Sequence, residues 1–105
     1  MQIEFTTDPS PARKGTNTYR VQLRSSDDVP LTGASVSARS YMPGMPEMGM
    51  AAMNVMVQLT ERRNGLYEGQ TTLESGGNWQ ITITVTKNGA VIASKQLTQF
   101  AEGGM

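Results

Sequence analysis

The sequence predicts an all-β fold, an antiparallel immunoglobulin-like β-sandwich of about seven strands. Three observations carry that prediction. Apolar and polar residues alternate at a period of two through most of the chain. Turn signals rich in Gly, Asn, Asp and Pro recur at short intervals. No stretch carries the i, i+3, i+4 spacing of an amphipathic helix. The chain has 105 residues, enough for a single domain, residues 1–105, with one modest core.

The elements follow in order. Gln2-Ile-Glu-Phe5 alternates and opens the first strand. The stretch from Asp8 to Gly15, with Pro9 and Pro11, reads as a breaker-rich connection. Tyr19, Val21 and Leu23 then alternate with Arg20, Gln22 and Arg24 in a half-buried strand. Ser25-Ser-Asp-Asp28 and Pro30 make a turn, after which Ala34, Val36 and Ala38 share one face of a strand running from Gly33 to Tyr41. Met53, Val55, Val57 and Leu59 share one parity in a fourth strand. Asn64-Gly65 is a strong hairpin signal before the strand Leu66 to Leu73. Tyr67 is expected to pack at an edge. After Ser75-Gly-Gly77, the strand Asn78 to Thr86 presents Trp79, Ile81, Ile83 and Val85 as the most apolar face of the protein. Lys87-Asn88-Gly89 turns into the last strand, Ala90 to Gln99, and Ala101 to Met105 is expected to fray.

Composition removes several function classes. Nine basic residues balance nine acidic ones, so no basic surface invites nucleic acid or an anionic membrane. With no cysteine and no histidine there is no thiol nucleophile, no imidazole base and no thiolate metal site. No Gly-x-Ser-x-Gly elbow or spaced carboxylate loop appears, and the chain reads as a non-enzyme. No apolar stretch is long enough to span a bilayer, and the first residues lack the basic and apolar regions of a signal peptide.

The chemically distinctive segment is Tyr41-Met-Pro-Gly-Met-Pro-Glu-Met-Gly-Met-Ala-Ala-Met-Asn-Val-Met56, which holds six of the eight methionines. A thioether is a neutral, polarisable donor that suits Cu(I), and equally Ag(I), far better than Zn²⁺, Mg²⁺ or Ca²⁺. Pro43 and Pro46 exclude a helix and disfavour a central strand. In a polyproline II segment, rising about 3.1 Å per residue, Met42, Met45 and Met48 would share an edge roughly 9 Å apart in successive pairs. A straight ladder of that kind is a poor cage, so bends at Gly44 and Gly49 are needed to bring sulfurs together. Met48 and Met50, flanking Gly49, are the pair expected to converge most easily, with Met45 as a third donor and Met42 as a fourth. Met53 follows the core parity and is assigned to packing, whereas Met56 faces the other way. The candidate metal ligands are therefore Met45, Met48, Met50 and Met42, in a Met-rich loop spanning residues 42–53.

Several segments together resemble a known family. They are Val29-Pro-Leu-Thr-Gly-Ala-Ser-Val36, Met42-Pro-Gly-Met-Pro-Glu-Met-Gly-Met50, Asn64-Gly-Leu-Tyr-Glu-Gly69 and Gly77-Asn-Trp-Gln-Ile81, after an extended start with Pro9 and Pro11. In this order they resemble the YtkA-like domain, related to FixH-like proteins and also found appended to periplasmic adaptor subunits of copper/silver efflux pumps. The resemblance implies an immunoglobulin-like sandwich, a periplasmic or otherwise extracytoplasmic location, and copper handling with a metal-efflux or oxidase-assembly partner. A different class of function also fits the segment, that of an interaction module using the Met-rich loop as an adaptable apolar docking surface.

Overall fold

A computed structural model describes residues 1–103. Among them eight strands follow in chain order: β1 (Gln2–Asp8), β2 (Ala12–Arg13), β3 (Gly15–Arg24), β4 (Ser35–Met42), β5 (Met53–Arg63), β6 (Leu66–Leu73), β7 (Gly77–Lys87) and β8 (Ala90–Glu102). The seven expected strands are present, and β2 is added within the stretch read as breaker-rich. It forms through a distant partner: Ala12 and Arg13 pair in parallel with Ala101 and Glu102, and the Lys14 N–H donates to the Glu102 carbonyl at 2.7 Å. Asn17, fully buried, fixes the approach. Its side-chain oxygen accepts from the Arg13 N–H at 2.9 Å, and its amide donates to the Arg13 and Gly15 carbonyls. Among the described residues that ladder is the one departure from an antiparallel arrangement. It also anchors the tail, since Ala101 is fully buried rather than frayed; Gly104 and Met105 lie outside the described residues.

The strand order is β1-β3-β6-β5-β4-β7-β8-β2. It folds into two layers because β5 changes partner along its length. Residues from Met53 to Leu59 pair with β4, from Met42↔Met53 to Val36↔Leu59. Thr60, Glu61 and Arg63 pair instead with β6, with a bulge between Glu61 and Arg63. Layers β1-β3-β6 and β4-β7-β8, with β5 crossing between them, resemble the partition of an immunoglobulin-like sandwich, here joined into one nearly closed sheet. On the opposite side β1 and β8 remain unpaired with each other, and the Lys95 ammonium spans that opening to the Ile3 carbonyl at 2.9 Å.

The core lies where the strand parities placed it. Tyr19, Val21 and Leu23 face Val36, Ala38, Trp79, Ile81, Ile83 and Val85, all fully buried, and Phe5 meets the Tyr19 ring edge-on at 5.0 Å between centroids. Burial of this apolar area is the principal driving force for the fold. Tyr67 corrects the edge assignment. It is fully buried, and its hydroxyl donates to the Leu31 carbonyl and accepts from the Ala34 N–H, at 3.0 and 3.1 Å. A buried phenol requires such partners, and the β3–β4 connection supplies them. Asn88 and Gly89 both adopt positive φ, 54° and 79°, which matches a primed hairpin turn between β7 and β8.

Candidate metal site

The Met-rich loop leaves the sandwich at the end of β4. Met42, the last residue of β4, continues the inward parity of Val36, Ala38 and Ser40. It is only 5% exposed and belongs to the core. Pro43 ends the ladder because it lacks an N–H. Gly44 then passes so close to the returning chain that a Cβ there would lie 2.9 Å from the Ala52 nitrogen and 3.2 Å from the Met50 carbonyl oxygen. Only glycine permits that approach.

Beyond Gly44 the chain doubles back in a tight hairpin. The Met45 N–H donates to the Met50 carbonyl at 2.8 Å and the Met50 N–H to the Met45 carbonyl at 3.0 Å. Pro46–Met48 forms one 3₁₀ turn, with Pro46 at its start and Gly49 closing it at φ 69°, ψ 20°. The prolines do exclude an α-helix, but Pro46 opens this turn because a first-turn residue needs no N–H. Met45, before Pro46, is extended at φ −127°, ψ 84°, as a pre-proline residue should be. The bend at Gly49 was expected. Its partners differ: the hairpin pairs Met45 with Met50 across the ladder, and Met48 sits at the turn. Residues directly opposite on adjacent strands hold their Cβ atoms about 5 Å apart, so this pairing starts the Met45 and Met50 side chains close together.

All four candidate ligands line one groove of about 480 Å³, together with Pro43, Gly76, Gly77 and Asn78. Exposure along it is graded. Met42 lies at the buried end, Met50 is half-buried, Met45 is 42% exposed and Met48 69% exposed. Met53 is half-buried and packs on the core, whereas Met56 is 65% exposed outside the groove.

The second wall of the groove, formed by Gly76 of the β6–β7 connection and by Gly77 and Asn78 at the start of β7, was not legible locally. Antiparallel pairing of Tyr41 with Gln80 sets the start of β7 beside the end of β4, and no spacing in the sequence links these segments. The Trp79 indole N–H donates to the Ser75 carbonyl at 3.1 Å, so the buried core aromatic also fixes this wall. The Ser75 hydroxyl donates to the Gly76 carbonyl and stands 3.6 Å from Met42 Sδ. A Cβ on Gly77 would lie 3.1 Å from the Met42 methyl. The Met42 side chain thus occupies space that the glycine leaves.

The groove offers thioethers and few competing donors. Glu47 is the single charged residue from Met42 to Met53. Among the described residues no group of three or more His, Cys, Asp or Glu side chains is gathered for a harder ion. On the outer face beside the loop, Arg39 stacks over Tyr41 at 5.1 Å and donates to the Asn54 side-chain oxygen at 3.0 Å. No helix among the described residues is long and apolar enough to cross a membrane.

These features define a small immunoglobulin-like sandwich with a methionine-lined groove at the end of one layer. The chain belongs to the YtkA-like family, which it matches over residues 1–84. The matched span includes the complete methionine hairpin and most of β7. No curated protein matches the chain.

Proposed function

We propose that this chain is a non-catalytic, extracytoplasmic copper-handling domain that binds Cu(I), or Ag(I), through the thioethers of Met42, Met45, Met48 and Met50. It would hold the ion for storage, for transfer to a partner or for efflux. The observation that carries the reading is the convergence of these four methionines on one groove, where soft neutral donors outnumber every harder one. Thioether ligation requires no deprotonation, so uptake would not compete with protons as thiolate or imidazole sites do. The same neutrality favours release: bonds to thioethers are weaker than bonds to thiolates, and the exposed Met48 end of the groove leaves an incoming donor room to attack.

Replacing Met45, Met48 and Met50 together with Leu should abolish Cu(I) binding in competition with a Cu(I) chelator while leaving the β-sheet circular dichroism unchanged. The methionine methyl NMR signals of the parent protein should shift when Cu(I) is added under reducing conditions. Retention of the parent affinity by the triple variant would refute this ligand set.

A further inference from the structure

The groove presents its sulfurs to solvent unequally, and that inequality suits a reversible chemical modification. We propose that Met48 and Met45 form an oxidant-responsive site, at which conversion to methionine sulfoxide lowers affinity for the soft ion without unfolding the domain. The consequence for metal rests on the reading of the groove as a Cu(I) site; the selectivity of oxidation rests on geometry alone.

Oxidation of a thioether needs access to sulfur. Met48 is 69% and Met45 42% exposed, whereas Met42 is 5% exposed and part of the core. A two-electron oxidant of the peroxide class therefore meets the hairpin before the buried end. One oxygen atom passes from hydrogen peroxide to Sδ, the O–O bond breaks and the S–O bond forms. The thioether is oxidised and the peroxide is reduced to water. The product is a polar group, whose oxygen is a harder donor and ill-suited to Cu(I).

The local structure tolerates this change. The hairpin is closed by main-chain hydrogen bonds between Met45 and Met50, from the Met48 N–H to the Met45 carbonyl, and from the Gly49 N–H to the Pro46 carbonyl. None of these uses a methionine sulfur, and the 3₁₀ turn buries no residue. A sulfoxide at Met42, in contrast, would have to fit against Gly77 and the core. The modification that is reversible by a methionine sulfoxide reductase thus falls where the fold does not depend on it.

Met56, 65% exposed and outside the groove, provides an internal control. The full chain and its Met56→Leu variant are treated with graded hydrogen peroxide, mapped by peptide mass spectrometry, and titrated with Cu(I) against a chelator. Met48 and Met45 should gain oxygen ahead of Met42, by about tenfold in rate or more for groups this different in access. The near-ultraviolet signal of Trp79 should persist, and Cu(I) affinity should fall about tenfold or more once soft donors are lost, equally in the Met56→Leu variant. Oxidation of Met42 in step with Met48, or undiminished Cu(I) affinity after both hairpin methionines are oxidised, overturns the proposal. Untreated protein that takes up no Cu(I) refutes the metal reading instead, and the order of oxidation then decides the selectivity by itself.

Discussion

Met42 and Met48 carry the same side chain six positions apart and do different work. Met42 closes the core at the end of β4, and Met48 stands in solvent at the tip of the hairpin. Met42→Ala should destabilise the domain by about 2–5 kcal/mol, the usual cost of emptying a buried Met site. Met48→Ala should change stability by no more than about 0.5 kcal/mol, as at other exposed positions. Urea unfolding followed by Trp79 fluorescence measures both. The core role of Met42 is missed in the sequence, where the strand ends at Tyr41 and Met42 counts among the loop's donors, although it extends the parity of Val36 and Ala38. Asn17 and Tyr67 were not legible in the same way. Their burial depends on hydrogen bonds to the Arg13–Gly15 and Leu31–Ala34 segments, and a polar side chain carries no mark of the partners it will find.

At the scale of elements, the long strands announced themselves, while the hairpin and β2 did not. A period of two identifies β3 and β7 because each buries alternate residues along most of its length. A two-residue parallel strand has no period, and β2 exists only through its contact with β8. The hairpin contains too much Pro and Gly for pattern reading, although its bend at Gly49 was expected. Gly49, at φ 69°, should resist substitution by Ala at a cost of about 1–2 kcal/mol for an L-residue in the left-handed region. Asn, which tolerates that region better, should retain more of the hairpin. Amide exchange of Met48 and Met50 in the two variants is the measurement: faster exchange in Gly49→Ala than in Gly49→Asn is expected, and equal protection would count against the turn described.

For the whole molecule, the buried tyrosines tie stability to pH on the alkaline side. Burial raises the Tyr19 pKa above its ordinary value of 10.0, opposed by the hydrogen bond to Ser40 at 2.8 Å. Burial also raises that of Tyr67, opposed by the Ala34 N–H and reinforced by the nearby Glu61 carboxylate. In the unfolded chain both phenols ionise at the ordinary value, so their protonated form favours the native state fully below about pH 10 and loses that advantage as pH rises through the higher native values. Unfolding midpoints in urea should therefore hold steady with respect to these groups in neutral solution and decline above about pH 10. A midpoint unchanged through that alkaline range would contradict the assignment. The ion pairs of half-exposed Arg20 with Glu68 and Asp8 contribute less to this balance, because water screens charges so placed.

The passage of β5 from one layer to the other has a mechanical consequence. A sandwich whose layers touch only through side chains can part like the covers of a book. Here the spine runs through the strand that leads out of the methionine hairpin. Opening the layers on that side would require tearing a continuous ladder. A load applied at the hairpin would instead be shared by both layers along one unbroken backbone. The methionine hairpin is thus mounted directly on the strand that joins the two layers.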